Sequence, residues 1–251
     1  MRFSLKRKDP VAPVSDPVPA DAPQVNGADI GALYYGERQA GDFYDFFRVS
    51  PERILFGLFD AAGRLEQARC VLCAAQETFR SQGAELFEKP EINEAEAMTT
   101  LCLELNRSII KAADGVHSCP AFVGCYNEQV GILCYANAGH IPGLVRDGSG
   151  VSELPATSFP LGLFSHSTCD APMAVVQPAG AFLAVSRGIV EATRKREEFG
   201  LGRVKSQLLQ DSSAKAKELC AAVLDQVRQF MGTAPTHDDV TALALVRDSV
   251  Q

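Results

Sequence analysis

The sequence lacks the signals that mark several common classes of protein. It has no apolar stretch typical of a secretory signal or a membrane span, and its eight cysteines do not have the spacing of a secreted disulfide framework. It also lacks internal repeats, a Walker phosphate loop, the glycine pattern of dinucleotide-binding proteins and the Ser-His-Asp order of hydrolases. We therefore expect a soluble, globular protein of a reducing cytoplasm.

An excess of positive charge is also missing. The chain carries 24 basic and 31 acidic side chains, and its formal net charge is −7. This balance argues against nonspecific binding to nucleic acid or to an anionic membrane, and a protein partner fits it better. Since 46% of the 251 residues are hydrophobic, the chain can bury one large core, and we expect a single folded domain.

The first residues have a different composition from the rest of the chain. Residues 1–29 are rich in Pro, Ala and Asp and show no periodic apolar face. Such a segment cannot offset its ordering entropy by burial, so we expect a disordered or loosely attached tail with a solvated basic start. The domain is then expected to comprise residues 30–251.

The order of apolar patterns predicts antiparallel sheets covered by helices. DFYDFFRV and ILFGLF indicate a β-hairpin, and three further strand pairs follow: CPAFVGCY with VGILCYA, GLVR with VSEL, and MAVVQ with AFLAVS. Helices are expected at about 64–82, 94–112, 188–195, 200–209 and 213–231, and VTALALV is a last buried strand. Asn93, with Glu96 three residues later, predicts the start of the second helix by capping-box chemistry. Because hairpins occur in series and helices in pairs, the pattern favours an α+β fold over a parallel doubly wound sheet.

Acidic residues recur at the ends of the predicted strands. Asp42 and Asp45 lie at the start of the first strand, Asp60 ends the second, and Asp238 and Asp239 precede the last. Taken singly, each is more often a turn or cap residue. If the two sheets pack face to face, however, these strand ends can converge, and gathered carboxylates suit a hard cation such as Mg²⁺ or Mn²⁺.

Two other patterns have an ordinary structural explanation. Cys70 and Cys73 form a C-x-x-C, but they lie in a segment with helical apolar spacing and no second Cys or His pair accompanies them. We interpret them as thiols on a packed helix. His140 follows Asn137 in a tight turn, where a histidine usually satisfies the local backbone, so we expect a structural hydrogen bond there.

A series of short motifs resembles one protein family. AGDFYDF, LFDAAG, YANAGHIPGLV, FPLGLF, the turn after FLAVS with IVEA, FG at 199–200 and HDDVTALAL occur in the order found in the SpoIIE-type branch of the PPM family. The members of this family are metal-dependent serine/threonine protein phosphatases. The resemblance extends from about residue 31 to about residue 247 and is specific because the motifs occur in combination.

The resemblance implies an α-β-β-α sandwich in which two Mn²⁺ or Mg²⁺ ions lie at the ends of two antiparallel sheets. A water or hydroxide that bridges the ions attacks phosphoserine or phosphothreonine in such enzymes. The positions that match the family's metal ligands are Asp42, Asp60, the carbonyl of Ala61, and Asp238. The usual substrates are phosphoserine proteins of bacterial partner switching, notably anti-sigma-factor antagonists, so the resemblance also implies a protein partner.

Two motifs depart from the family pattern. Where the family has Thr-Asp-Gly with a metal-binding aspartate, this chain has SRG, with Arg187 at the centre. The family's Asp-x-x-Gly-His-Gly reads DAAGRL, so that Arg64 replaces the histidine, in a solvated or a phosphate-contacting role. With Arg187 among three carboxylates the local charge is −2 instead of −4, which one divalent ion balances. We expect at most one ion, and Arg187 either occupies the space of the missing ion or points away from the acids.

Two functional hypotheses follow from the substitution at Arg187. In the first, the chain is a pseudophosphatase, a regulatory or binding module that turns over phosphate poorly or not at all, and no catalytic residue is assigned. In the second, it is an active Mn²⁺- or Mg²⁺-dependent phosphatase with a reduced or rearranged site. Asp45 or Asp239 would then supply the missing acid.

Overall fold

The computed structural model describes residues 17–18, 20–35, 41–63, 65–113, 117–233 and 238–249. The strands are β1 (Ala28–Tyr35), β2 (Asp42–Arg48), β3 (Arg53–Asp60), β4 (Ala121–Asn127), β5 (Ile132–Ala138), β6 (Gly143–Asp147), β7 (Gly150–Leu154), β8 (Met173–Val175), β9 (Ala181–Val185), β10 (Thr193–Arg194), β11 (Glu197–Glu198) and β12 (Val240–Arg247). The helices are α1 (Leu65–Phe87), α2 (Glu94–Ala112), α3 (Arg187–Val190), α4 (Gly200–Gln210) and α5 (Ala216–Met231).

The strands form two five-stranded antiparallel sheets. The first sheet has the order β1-β12-β9-β6-β7, and the second has the order β2-β3-β4-β5-β8. Helices α1 and α2 share a core layer with the second sheet, whereas α4 and α5 share one with the first sheet. A third layer of apolar side chains lies between the sheets. The predicted α-β-β-α sandwich is confirmed.

Aromatic side chains fill the middle of the sandwich. Phe182 of the first sheet lies between Phe56 and Phe122 of the second, with ring centroids 5.3 and 5.2 Å apart. On the outer face of the second sheet, Phe59 packs edge-on against Phe79 of α1 at 5.8 Å. Burial of each of these side chains contributes about 1.5–3 kcal/mol, so the two sheets and their helices hold the strand ends in fixed positions.

One predicted strand pair is wrong. MAVVQ and AFLAVS do not pair with each other, because β8 pairs with β5 in the second sheet and β9 pairs with β12 and β6 in the first. The turn at Pro178-Ala179-Gly180 carries the chain from one sheet to the other, and Ala179 adopts a left-handed φ of 59° there. A turn signal thus predicted a reversal of the chain but not which strands it separates.

The helix expected at 188–195 is also wrong. Helix α3 ends at Val190, and the following polar run forms the short hairpin of β10 and β11, with Lys195 at a φ of 61° in its turn. Both strands of this hairpin are exposed. A charged segment without an apolar face gains little from docking as a helix, so tertiary packing does not extend α3.

Part of the predicted tail lies against the domain. The Val18 N–H donates to Gln76 Oε1 at 2.9 Å, and the Val18 carbonyl accepts from Gln76 Nε2 at 2.7 Å. Ala20, Ala22 and Val25 pack against the layer between the sheets. The expected loose tail is therefore not seen at residues 17–18 and 20–29, which contact the domain. The short apolar side chains of this extended segment contact apolar surface, although their spacing in the sequence shows no helical period. Residues 1–16 and Pro19 lie outside the described part of the chain.

The local signals on the two long helices agree with the structure. Asn93 is the N-cap of α2 and accepts from the Glu96 N–H at 3.2 Å. Cys70 and Cys73 both lie on α1, as expected. In the described part of the chain, no helix combines the length and the apolar character needed to cross a membrane.

Candidate functional site

The ends of the two sheets meet at the predicted acidic residues. Asp42 and Asp60 are register partners at the open end of the β2–β3 hairpin in the second sheet. Thr241, the second residue of β12 in the other sheet, donates to Asp42 Oδ2 at 2.7 Å. The Asp42 N–H lies 3.4 Å from Asp239 Oδ2. Strand ends almost two hundred residues apart in sequence are thus brought into hydrogen-bonding contact.

Two glycines permit this close approach. A Cβ on Gly41 would lie 2.1 Å from the carbonyl oxygen of Ala61, and one on Gly188 would lie 2.0 Å from the carbonyl oxygen of Asp239. Both distances are far shorter than any ordinary contact, and the obstructing atoms are backbone. The glycines of the AGD and SRG motifs are therefore required by packing of the strand ends.

Arg187 faces the acids from the end of β9. It is the first residue of α3, after the N-cap Ser186. Its Nη2 lies 3.6 Å from Asp60 Oδ1 and 3.8 Å from Asp238 Oδ2, and its Nε lies 4.0 Å from a carboxylate oxygen of Glu191. These distances are those of ion pairs and are too long for hydrogen bonds. The side chain of Arg187 is 43% exposed, and its guanidinium lies between carboxylates of the two sheets.

Burial and neighbouring negative charges disfavour the ionised forms of two carboxylates of the site. Burial raises the pKa of Asp42 well above its ordinary value, and the charge of Asp60 raises it further. The hydrogen bond from Thr241 acts in the opposite direction and lowers the pKa of Asp42. Burial also raises the pKa of Asp60, while the positive charge of Arg187 lowers it and the charge of Asp238 raises it. The site therefore contains more negative charge than its surroundings compensate.

Asp45 does not join the site, which corrects its assignment as an accessory acid. It is fully buried and accepts two hydrogen bonds of 2.7 Å from Arg80 and one of 3.1 Å from Gln76, both on α1. Along a strand, positions three apart point to opposite faces. Asp42 thus points between the sheets, whereas Asp45 points to the helical layer.

The other accessory residues differ in position. Asp239 is buried beside Asp42 and accepts from the Tyr34 hydroxyl at 2.8 Å. Arg64 lies outside the described residues. In the described part of the chain, no group of three or more His, Cys, Asp or Glu side chains is arranged to hold a metal ion.

His140 has the structural contacts expected from its turn. Its N–H donates to Asn137 Oδ1 at 2.8 Å, and its Nδ1 lies 3.1 Å from the carbonyl oxygen of Ile141. Burial lowers the pKa of His140 to about 4, and the charge of Arg187 lowers it as well. The imidazole is therefore neutral at pH 7.

The sequence did not single out three residues in the surroundings of the acids. Ser186 accepts from the Thr241 N–H at 3.0 Å and donates to the carbonyl oxygen of Asp239 at 3.2 Å. With Thr241 and Glu191 it completes the surroundings of the carboxylates. Glu191 follows Arg187 by four residues, a helical ion-pair spacing that the sequence displays. Ser186 and Thr241 had no such signal, because their roles depend on the register between β9 and β12.

Comparisons with known proteins found a matching family model and two similar curated proteins. The family model described as Stage II sporulation protein E (SpoIIE) matches residues 50–248. The chain is 21% identical to protein IcfG of Synechocystis, over 92% of this chain and 40% of IcfG. It is 22% identical to the phosphoserine phosphatase RsbP of Bacillus subtilis, over 79% of this chain and 47% of RsbP. The chain thus spans less than half the length of these curated relatives.

Solved structures show the same fold. The RsbU and RsbW domains of a Mycobacterium tuberculosis protein match with a TM-score of 0.73 and 22% identity, over 90% of this chain and 62% of that one. RsbX, solved in complex with magnesium, matches with a TM-score of 0.66 and 12% identity, over 91% of this chain and 99% of RsbX. At these identities the likeness shows the architecture alone.

Proposed function

Because the chain belongs to the SpoIIE family of PPM-type phosphatase domains, we propose that it is a catalytically impaired member, a pseudophosphatase that serves as a regulatory or binding module in bacterial signalling. The observation that supports this proposal is the guanidinium of Arg187, which lies within 4 Å of carboxylate oxygens of both Asp60 and Asp238. A positively charged side chain thus lies among the acids that match the family's metal ligands.

This arrangement does not fit two divalent ions. Mg²⁺ and Mn²⁺ bind carboxylate oxygens at about 2.0–2.2 Å, and a guanidinium beside the same oxygens both repels a second ion and removes part of the negative charge that would attract it. At most one ion remains to be held, by Asp42 and Asp60 with the Ala61 carbonyl or Asp238. Without a pair of ions, no water is activated between them, and the family's direct attack on a phosphate dianion loses its nucleophile.

A protein partner is proposed for the same module. The loop that comprises residues 155–172 exposes the rings of Phe159 and Phe164, which pack edge-on with centroids 5.3 Å apart. The loop is anchored beside the site, because Leu161 exchanges backbone hydrogen bonds of 2.8 and 3.1 Å with Cys119. Exposed paired aromatics are typical of binding hot spots. We propose a phosphoserine-bearing anti-sigma-factor antagonist as the class of partner.

The proposal is tested by phosphate release from phosphoserine and phosphothreonine peptides in the presence of Mn²⁺ or Mg²⁺. We expect turnover far below about 1 s⁻¹, the lower end of ordinary enzyme rates. A rate at or above that value in the unmodified chain contradicts the assignment. Binding is measured separately with a phosphorylated anti-sigma-factor antagonist, and simultaneous replacement of Phe159 and Phe164 by Ala should weaken it.

The position of Asp239 supports a second candidate, an active phosphatase with a rearranged site. Its carboxylate lies beside the backbone of Asp42, where it can take over part of the role of the replaced aspartate. If this is the function, the unmodified chain hydrolyses phosphopeptides and Asp239→Asn abolishes the reaction. Asp211→Asn is a suitable control, since Asp211 lies at the end of α4, away from the acids, and its side chain accepts from the nearby Ser213 N–H.

A further inference from the structure

A cluster of cysteines lies away from the acidic site. Cys102 of α2, Cys125 of β4, Cys134 of β5 and Cys169 of the loop before β8 are all buried in the layer between α2 and the second sheet. The proposed function uses none of them. Within this cluster Cys169 lies beside Cys102, because Thr99, one helical turn before Cys102, donates to the Cys169 carbonyl, and each of the two thiols shifts the pKa of the other.

One face of α2 holds the loop that carries Cys169. Thr99 Oγ1 donates to the Cys169 carbonyl at 3.3 Å, Asn106 Nδ2 donates to the Phe164 carbonyl at 2.9 Å, and Asn106 Oδ1 accepts from the Gly162 N–H at 2.8 Å. Residues 99, 102 and 106 follow one another at helical spacing on this face. Hydrogen bonds on both sides of Cys102 therefore hold the loop, and Cys169 with it, against this face of α2.

The two thiols differ in their chemistry. The hydrogen bond from Cys102 lowers the pKa of Cys169 against the opposing effect of burial, and a hydrogen bond from Thr157 lowers it further. The same contact and burial raise the pKa of Cys102. Cys169 is flanked by the exposed Thr168 and Asp170, so a small oxidant needs to pass only the loop surface. A thiolate-prone cysteine beside a protonated second thiol is the arrangement of a redox-responsive pair.

We propose that Cys102 and Cys169 are a site of reversible disulfide formation, driven by a hydroperoxide, that links α2 covalently to the loop 155–172. The Cys169 thiolate attacks one oxygen of hydrogen peroxide, the O–O bond breaks, and Cys169 becomes a sulfenic acid while the released hydroxide takes up a proton to form water. The Cys102 sulfur, losing its proton, then attacks the Cys169 sulfur, and the S–O bond breaks to release a second water. Two thiols are oxidised to one disulfide and one peroxide is reduced to two waters.

The consequence is local to the loop. Leu161, in the same loop, is joined by backbone hydrogen bonds to Cys119, and the neighbouring Pro120 carbonyl accepts from the Asp60 N–H at 2.8 Å. The disulfide thus fixes a loop that borders the acidic site and carries the exposed Phe159 and Phe164. This inference does not depend on whether the chain hydrolyses phosphate.

The test uses the full chain, reduced and then exposed to hydrogen peroxide. The number of free thiols measured after denaturation should fall from eight to six and return to eight with a dithiol reductant. Peptide mapping without reductant should recover the Cys102 peptide linked to the Cys169 peptide. Cys220→Ser, which alters a buried thiol in the other helical layer, should leave this product unchanged.

Single variants assign the order of attack. In Cys102→Ser, or in Cys102→Ala if the serine variant does not fold, a sulfenic acid trap should label Cys169, and no disulfide should form. The proposal is overturned if the thiol count stays at eight, if the cross-link joins Cys70 to Cys73 or Cys134 to Cys169, or if the trap labels another cysteine in place of Cys169.

Discussion

Removal of the cation at Arg187 should destabilise the protein in a pH-dependent way. Its Nη2 is 3.6 and 3.8 Å from two carboxylates, a separation at which each pair is worth about 1 kcal/mol in water and about 4 kcal/mol near a protein surface. Since 43% of the side chain is exposed, solvent screening reduces this contribution. We expect Arg187→Ala to lower the free energy of unfolding by about 1–2 kcal/mol at pH 7, or about 2–8 °C in melting temperature.

The sign of the pH dependence follows from Asp60. Its pKa in the folded protein is raised, so its contribution to stability is complete below the unfolded pKa and is lost as the pH rises through the folded pKa. Arg187 lowers that pKa, and its removal therefore enlarges the loss at neutral pH. At about pH 3 Asp60, whose pKa is raised, is mostly protonated, and the difference between Arg187→Ala and the unmodified chain should be smaller than at pH 7.

Urea unfolding at both pH values measures the effect. Arg107→Ala is the matched control, because Arg107 pairs with Glu104 on the exposed surface of α2, and it should change stability by less than about 0.5 kcal/mol. Mn²⁺ should partly restore Arg187→Ala, since an ion can then replace the lost charge. Equal stability of Arg187→Ala and the unmodified chain at pH 7, or a loss of the same size at pH 3, would refute the reasoning.

Three further changes probe the surroundings of the site. Asp45→Ala leaves the donors of Arg80, Gln76 and the Phe46 N–H without their acceptor and should cost about 2–4 kcal/mol in urea unfolding. Asp42→Asn, three positions away, should be neutral or stabilising at pH 7, because it removes a buried charge that the fold opposes; a loss equal to that of Asp45→Ala would contradict this. The pKa of His140 in the folded protein is about 4, so the unfolded state takes up the proton first and the unmodified chain should lose about 3 kcal/mol of unfolding free energy, relative to His140→Gln, as the pH falls from 6.5 to 4. Parallel pH profiles of the two proteins would exclude that role for His140.

The elements that sequence patterns predicted are those with local signals. The β2–β3 hairpin and the cap of α2 depend on residues close in sequence, and both are present. The pairing of β8 with β5 depends on residues about forty positions apart, and no short-range pattern encodes it. The hairpin of β10 and β11 replaced a predicted helix because packing, not the charge pattern, decides where α3 ends.

The residues of the site also divide into those whose positions follow from local sequence patterns and those whose positions depend on long-range packing. Strand-end placement predicted that Asp42, Asp60 and Asp238 lie near one another, because strands of packed sheets end at a common edge. The exclusion of Asp45 from the site could also have been predicted, because an odd separation from Asp42 places it on the other face of the strand. The direction of the Arg187 side chain could not be predicted, because it depends on how α3 turns after β9 and on the contact of Gly188 with the Asp239 carbonyl.

The most direct test of the central claim is the stoichiometry of Mn²⁺ binding, measured by titration calorimetry on the unmodified chain and on Arg187→Asp. The account predicts at most one weakly bound ion in the unmodified chain, and none after Asp60→Ala. Arg187→Asp changes the local charge from −2 to −4, so it should bind manganese more tightly and accept a second ion. Two tightly held ions in the unmodified chain, or an Arg187→Asp variant with unchanged affinity and stoichiometry, would contradict the claim that Arg187 takes the place of a metal ion.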